Sequence, residues 1–130
     1  MGEPLKIDVG RSFTWEFGPI LNEAGEPLDL SGSATGDWFV LRRKGDPTSI
    51  ILHQSSALTR VSFIPQLVGN ATQYSMQVTI EPDDTQGIVM PGLYFHEAVI
   101  VDATGHKYNL SFGDGNLIQF NAALPFPLAS

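Results

Sequence analysis

Apolar and polar residues alternate with a period of two along much of the chain. The clearest stretch is 73–81, in which alternate residues are apolar: Tyr74, Met76, Val78 and Ile80. Such alternation predicts a β-strand with one face in a core and the other in solvent. No window sustains the three-and-four spacing that is typical of an amphipathic helix. The pattern therefore predicts an all-β domain.

The same pattern predicts further strands, at 5–9, 12–17, 37–43, 49–53, 59–64, 107–112 and 116–121. Segment 92–101 is apolar on both faces, so we expect a central strand covered on both sides, and a partner chain could supply the second cover. About eight strands suit two packed sheets, and we expect an antiparallel immunoglobulin-like β-sandwich. Segment 49–53 is a candidate edge strand that could pair with a neighbour's strand.

Turn chemistry separates these strands, because Gly, Pro, Asp and Asn cluster between them. A short helical turn is predicted at 82–88, where Pro82 and the two following aspartates suit a first turn. The sandwich is predicted to span 1–122. The side chains expected to point inward are Phe13, Trp15, Phe17, Val61, Phe63, Tyr74, Met76, Val78, Ile80, Tyr94, Tyr108, Leu110 and Phe112.

Residues 123–130 form a tail without a charged side chain. Its prolines lack amide donors and fix φ, so the tail cannot be a central strand and we expect it to be extended or polyproline-like. The candidate partner-binding residues are Leu124, Pro125, Phe126, Pro127 and Leu128. We hypothesise that they insert into a groove on a neighbouring subunit. The alternative is that the tail covers the core edge of its own domain.

Composition narrows the function classes. The 130 residues include no cysteine, which excludes a disulfide framework, a thiolate zinc site and a cysteine nucleophile. A net charge of −7 opposes binding to nucleic acid, which is not expected as a partner. The start of the chain does not resemble a signal peptide, and no apolar run approaches the ~20 residues that span a bilayer. We expect an unexported protein without a membrane partner.

Candidate catalytic and metal-binding residues do not form recognised patterns. The three histidines are isolated from one another in sequence, and His96, within the most apolar strand, is predicted to be a hydrogen-bonded core or interface residue. Asp83, Asp84, Asp102 and Asp114 lack the spacing of a cation loop, and no serine lies in a nucleophile elbow. We expect no catalytic residue, no metal and no cofactor, and therefore no enzyme.

One basic cluster stands out in this acidic chain. Arg42, Arg43 and Lys44 follow one another at the end of a predicted strand. We interpret them as a solvated strand end, and the alternative is a patch for an acidic neighbour.

Several longer motifs occur in a particular order. They are DVGRSFTWEF at 8–17, GEPLDLSGSA at 25–34, WFVLRRKGD at 38–46 and PDDTQGIVMPGLYFHEAVIVDATGHKYNLSFGDGNL at 82–117. This order resembles small virion proteins of tailed bacteriophages, and it is similar to the immunoglobulin-like N-terminal domain of phage baseplate upper proteins. Those proteins continue into a stalk and further domains, whereas this chain stops at Ser130. We therefore expect an adaptor, a plug or a decoration.

The resemblance implies a non-catalytic structural or assembly protein of the phage particle, an adaptor at the tail, baseplate or neck. Its partners would be other virion proteins, either tail, neck or capsid subunits, with many symmetric copies in a virion assembled from chains made in the host cytoplasm. One alternative is a capsid decoration protein. Another is a stand-alone carbohydrate- or ligand-binding module, which would need an exposed platform of Trp15, Trp38 and Tyr74. The alternation places Trp15 and Tyr74 inward, which opposes such a platform.

Overall fold

A computed structural model describes residues 5–110 and 117–122. Within these ranges there are nine strands, one short α-helix and two single 3-10 turns (Pro47–Ser49 and Ser56–Leu58). The strands and the α-helix are β1 (Leu5–Asp8), β2 (Phe13–Phe17), β3 (Thr35–Leu41), β4 (Ile50–Ser55), β5 (Val61–Val68), β6 (Ala71–Ile80), α1 (Pro82–Thr85), β7 (Gly92–Val101), β8 (Lys107–Leu110) and β9 (Leu117–Asn121). Each predicted strand is present, and the predicted helical turn at 82–88 contains α1. The all-β prediction is confirmed.

The strands form two sheets that pack as a sandwich. One sheet has the order β1-β9-β7-β3-β4, with β8 also paired to β7, and the other has the order β2-β6-β5. Leaving out β4 and β8 gives seven core strands in chain order. The second, fourth and fifth (β2, β5 and β6) lie in one sheet, and the third, sixth and seventh (β3, β7 and β9) lie in the other, which is the immunoglobulin arrangement. The predicted immunoglobulin-like sandwich is thus confirmed.

One pairing differs from the expected antiparallel pattern. Strand β1 runs parallel to β9, with Leu5 opposite Ile118 and Asp8 opposite Asn121. The described residues between β1 and β2 cross from one sheet to the other, so β1 lies at the far edge of the sheet beside the last strand. The other strand pairs within the described residues are antiparallel.

The core lies between the two sheets. Of the side chains predicted to point inward, five are buried: Val61, Met76, Val78, Ile80 and Tyr94. Seven more pack against this core while partly exposed: Phe13, Trp15, Phe17, Phe63, Tyr74, Tyr108 and Leu110. Phe112 lies outside the described residues. The loop leucines Leu28 and Leu30 are also buried, although neither belongs to a strand.

Three rings from three strands meet at the centre of this core. The ring centroids of Trp15, Trp38 and His96 lie 5.8 to 5.9 Å from one another. In antibody domains a tryptophan on the third core strand packs against a disulfide between the second and sixth. Here Trp38 is on the third core strand, and Trp15 and His96 are on the two strands that carry those cysteines. The trio connects the sheets without a covalent bond.

His96 confirms the prediction of a hydrogen-bonded core histidine. The indole Nε1 of Trp38 donates a hydrogen bond to Nδ1 of His96 over 3.0 Å. Burial lowers the pKa of His96 to about 4, since a charged ring would lose its hydration. The neutral ring has the lone pair that this hydrogen bond requires.

The corner before β7 is fixed by hydrogen bonds. The hydroxyl of Tyr94 donates a hydrogen bond to the carbonyl of Met90 over 2.6 Å. Tyr94 precedes His96 by two residues, and this bond is the tyrosine corner of immunoglobulin-like domains. Thr85 of α1 is buried, and its hydroxyl accepts a hydrogen bond from the amide of Gly10 over 2.8 Å. These contacts tie the corner to the start of β2 and set where β7 enters its sheet.

Candidate functional site

Strand β7 has two faces that differ in burial. Its inward side chains are almost fully buried: Tyr94, His96, Ala98 and Ile100. Its other side carries Leu93, which is 58% exposed, and the half-buried Phe95, Glu97, Val99 and Val101. We call the side of the larger sheet that carries these residues the outer face. The prediction that β7 is a central strand is confirmed, because it pairs with β3 on one side and with β8 and β9 on the other.

Neighbouring strands extend the apolar centre of the outer face. Leu41 of β3 and Leu117 of β9 both lie opposite Phe95, so three apolar residues form a row across three strands. Phe39 lies opposite Glu97. Side chains paired in this way across strands are in contact range, and the row therefore forms one continuous apolar strip.

A polar border flanks this strip on the β4 side. The ring of His53 stacks on Phe39 with centroids 4.4 Å apart and planes at 21°. Nε2 of His53 lies 2.8 Å from a carboxylate oxygen of Asp37. The histidine therefore covers one side of an aromatic ring while its polar edge stays paired at the surface.

Residues 42–49 fold over part of the outer face. The amide of Gly45 donates a hydrogen bond to the carboxylate of Glu97 over 3.0 Å. Asp46 shapes the turn by accepting hydrogen bonds from Thr48 and Arg43, and these bonds lower the pKa of its carboxyl. The result is a shallow depression of about 160 Å³, lined by Phe39, Leu41, Gly45, Pro47, Ile50, Glu97 and Val99.

The basic cluster borders this depression. Arg42, Arg43 and Lys44 are exposed at the end of β3, as expected of a solvated strand end. Arg43 also forms an ion pair with Asp46 at 2.8 Å within its own loop. One charge of the cluster is thus already used locally.

A second concave region lies at the start of β7. A groove of about 480 Å³ is lined by Pro91, Gly92, Leu93, Gln119, Phe120, Asn121 and Ala122. The nearby side chains of Ile88 and Met90 are exposed. The groove lies where the chain leaves β9. The predicted partner-binding residues, Leu124, Pro125, Phe126, Pro127 and Leu128, follow directly and lie outside the described residues.

The free edge predicted at 49–53 is present. Strand β4 ends the strand order of the larger sheet, and β3 is its one neighbour in that order. Its register with β3 is irregular near Leu41, where a bulge shifts the pairing. The candidate docking features are thus the outer face, the groove beside it and the β4 edge.

The remaining candidate residues serve their own turns. Asp102 accepts hydrogen bonds from Thr104 and His106 and closes that turn. Although burial opposes it, hydrogen bonding from Arg60, from the Glu81 amide and from Gln54 lowers the pKa of Asp84. Asp114 lies outside the described residues. Within residues 5–110 and 117–122, no three histidine, aspartate or glutamate side chains gather to hold a metal ion.

The aromatic platform required by a carbohydrate-binding module is absent from the described surface. Trp38 is fully buried, which contradicts the exposed position that such a platform would need. Trp15 and Tyr74 pack against the core. Among the described residues, moreover, no helix has the length and apolar character that a membrane crossing demands.

Strand order, corner tyrosine and central aromatic trio together define an immunoglobulin-like β-sandwich. No protein-family model matches the chain, and no curated protein is significantly similar to it. The function must therefore be inferred from the surface.

Proposed function

We propose that the chain is a non-catalytic assembly protein that contacts other proteins through the outer face. The observation that supports this most directly is the apolar outer side of strand β7, which carries Leu93, Phe95 and Val99. A strand with one face in solvent normally has polar residues at such positions. Apolar surface on a central strand is stabilised when another protein covers it.

The composition of the outer face suits a protein partner. Interfaces combine an apolar centre with a polar border, and aromatic residues are enriched at the centre. The half-buried Phe95 and Leu117 supply the centre, and Leu41 is buried beside Phe95. His53 with Asp37 borders it on one side and Gln119 on the other.

The setting we propose is the particle of a tailed bacteriophage, at the tail, baseplate or neck. The sequence resemblance supports this setting. In a symmetric particle many copies make the same contact, so individually weak contacts hold the assembly together. Capsid decoration would use the same surface at a different place in the particle, and neither a phosphate-rich nor a lipid partner suits a chain with net charge −7.

Two matched substitutions test the use of the outer face. Leu93→Asp places a charge on the outer face beside the apolar strip, opposite Gln119, and Leu67→Asp places the same charge on β5 of the other sheet, where Leu67 is 72% exposed. We expect both variants to fold and only Leu93→Asp to be lost from purified particles, as measured by mass spectrometry. Equal incorporation of the two variants would reject the outer face, and absence of the native chain from purified particles would reject the setting.

A further inference from the structure

The edge strands of this sandwich differ in how they are protected from pairing with another chain. Proteins protect sheet edges with charges, with proline or with very short strands. Within the described residues, β1 carries Lys6, β2 carries Glu16, β5 contains Pro65 and β8 carries Lys107. Strand β4 reads IILHQS, with no proline and no lysine, arginine or carboxylate. Among the edges that the structure describes, β4 is therefore the one open to strand pairing.

The two ends of β4 lie beside charges of opposite sign. The amide of Arg42 donates a hydrogen bond to the carbonyl of Ser49, which places the basic cluster at the start of β4. Arg42 and Lys44 are exposed, and no ion pair of the described residues includes either of them. Asp37 lies opposite Ser55 at the other end of the strand. Two copies of β4 therefore match in charge when they run antiparallel, because the basic end of each then lies beside the acidic end of the other.

We propose that the β4 edges of two copies pair antiparallel, about a twofold axis perpendicular to the sheet, and form a homodimer. A six-residue strand overlaps its own copy most fully when this axis passes near its middle, at Leu52 or His53. A twofold contact uses both β4 edges at once, so association closes at two copies. The joined sheet then ends in β1 on each side, where Lys6 protects the edge.

The same symmetry brings the outer faces of the two copies together. A twofold axis perpendicular to the sheet leaves both outer faces on one side of the joined sheet. The stacked rings of Phe39 and His53 lie at the junction, because His53 belongs to β4 and Phe39 to the strand beside it. The dimer would thus present two outer faces to one partner surface, and binding through both strengthens a contact that is weak in a single copy. In this role the inference rests on the proposed assembly function, whereas the pairing itself is measurable without a particle.

The contact between the two strands is small. Each copy contributes the six residues of β4, which is well below the roughly 20 residues a side of a standard interface. Each copy also carries a net charge of −7, and the resulting repulsion is screened at physiological salt, where the Debye length is about 8 Å. We therefore expect a weak dimer, with a dissociation constant between about 10 μM and 1 mM.

Sedimentation of the full chain up to about 1 mM measures the pairing. Ile50→Glu adds a carboxylate at the start of β4, where Ile50 is 37% exposed, and Leu67→Glu adds the same charge to the other sheet. In the proposed dimer the carboxylate at position 50 would lie beside the acidic end of the second copy. We expect a monomer–dimer equilibrium in the native chain and in Leu67→Glu, and a dissociation constant at least about tenfold higher for Ile50→Glu.

Three outcomes of this experiment overturn the homodimer. They are a native chain that stays monomeric up to about 1 mM, association that continues mainly to species larger than two copies, and equal weakening by the two substitutions.

Cross-linking locates the contact, because the chain contains no cysteine and a single introduced cysteine can link only between molecules. His53→Cys places a thiol near the proposed axis, and Leu67→Cys is the exposed control. We expect a short bismaleimide reagent to form covalent dimers at least about tenfold faster with His53→Cys than with Leu67→Cys. Equal rates for the two variants would reject pairing through β4.

These results are separable from those that test the outer face. Leu93 belongs to β7, which is separated from β4 by β3, so Leu93→Asp should dimerise within about threefold of the native chain. A native chain that stays monomeric, together with loss of Leu93→Asp from particles, would keep the assembly proposal and reject the homodimer. A dimer whose Leu93→Asp variant enters particles normally would keep the β4 pairing and reject the outer face.

Discussion

The two faces of strand β7 both carry apolar side chains, but the faces differ in how far those side chains are buried. On the inner face, Tyr94, His96 and Ile100 are buried beneath the second sheet, and their polar atoms are engaged in hydrogen bonds where they have any. On the outer face, Leu93, Phe95 and Val99 remain partly or largely exposed. The inner face thus stabilises the domain, and our proposal is that the outer face acts between molecules.

This difference separates stability from assembly in a way that substitutions can test. An inner-face change should lower the free energy of unfolding whether or not a partner is present. An outer-face change should leave that free energy nearly unchanged and alter association instead.

The largest expected effect is that of Trp38→Ala. Trp38 is fully buried between Trp15 and His96, so its removal leaves a large cavity. We expect unfolding to become easier by about 3 to 5 kcal/mol, measured by chemical denaturation. Leu93→Ala on the outer face is the matched control, with a change within about 0.5 kcal/mol. Similar decreases in the free energy of unfolding for the two variants would contradict the difference between the two faces.

Acidification should act through His96. Its pKa is about 4 in the fold and near 6.5 in the unfolded chain, so between these values the unfolded state binds more protons. Stability should therefore be independent of this group above pH 6.5 and fall by about 3 kcal/mol as the pH drops to 4.

The histidine effect is separable from that of the carboxylates. Asp84 and Asp46 have lowered pKa values, so their contributions are lost only as the pH falls below the ordinary aspartate value of 3.8. His96→Gln should flatten the stability profile between pH 6.5 and 4, measured by thermal unfolding at each pH. A profile unchanged by this variant would contradict the assignment.

A smaller effect is expected of Tyr94→Phe. The change removes the hydroxyl that donates to the Met90 carbonyl and keeps the ring against Phe120. We expect a loss of about 1 kcal/mol. Tyr108→Phe, which removes a longer contact of 3.3 Å to Asp102 nearer the surface, should cost less. Chemical denaturation of both variants tests the role of the corner hydrogen bond, because Tyr94→Phe should lower the free energy of unfolding more than Tyr108→Phe.

Much of the fold could be predicted from local pattern. Alternation located the strands, and the both-sided apolar character of 92–101 identified the central strand. The ends of strands were less predictable: β5 begins at Val61, because Thr59 takes a left-handed conformation, and continues past Pro65 to Val68. Pro65 lies on an edge strand, where proline is tolerated.

The central trio could not be predicted from alternation. Trp15, Trp38 and His96 are distant in sequence, and only the stacking of two sheets brings them together. A signal did exist, because Tyr94 precedes His96 by two residues, the spacing that separates the corner tyrosine from the second cysteine in antibody domains. The depression under residues 42–49 had no such signal, since it depends on one amide of Gly45 meeting Glu97.

Covalent footprinting tests most directly whether the outer face contacts other molecules. Carbene labelling would be compared between the free chain and the chain in purified particles. Labelling of Leu93, Phe95 and Val99 is expected to fall in the particle, while Leu58 and Leu67, which are exposed elsewhere, keep theirs. Equal labelling of the outer face in both states would contradict the account.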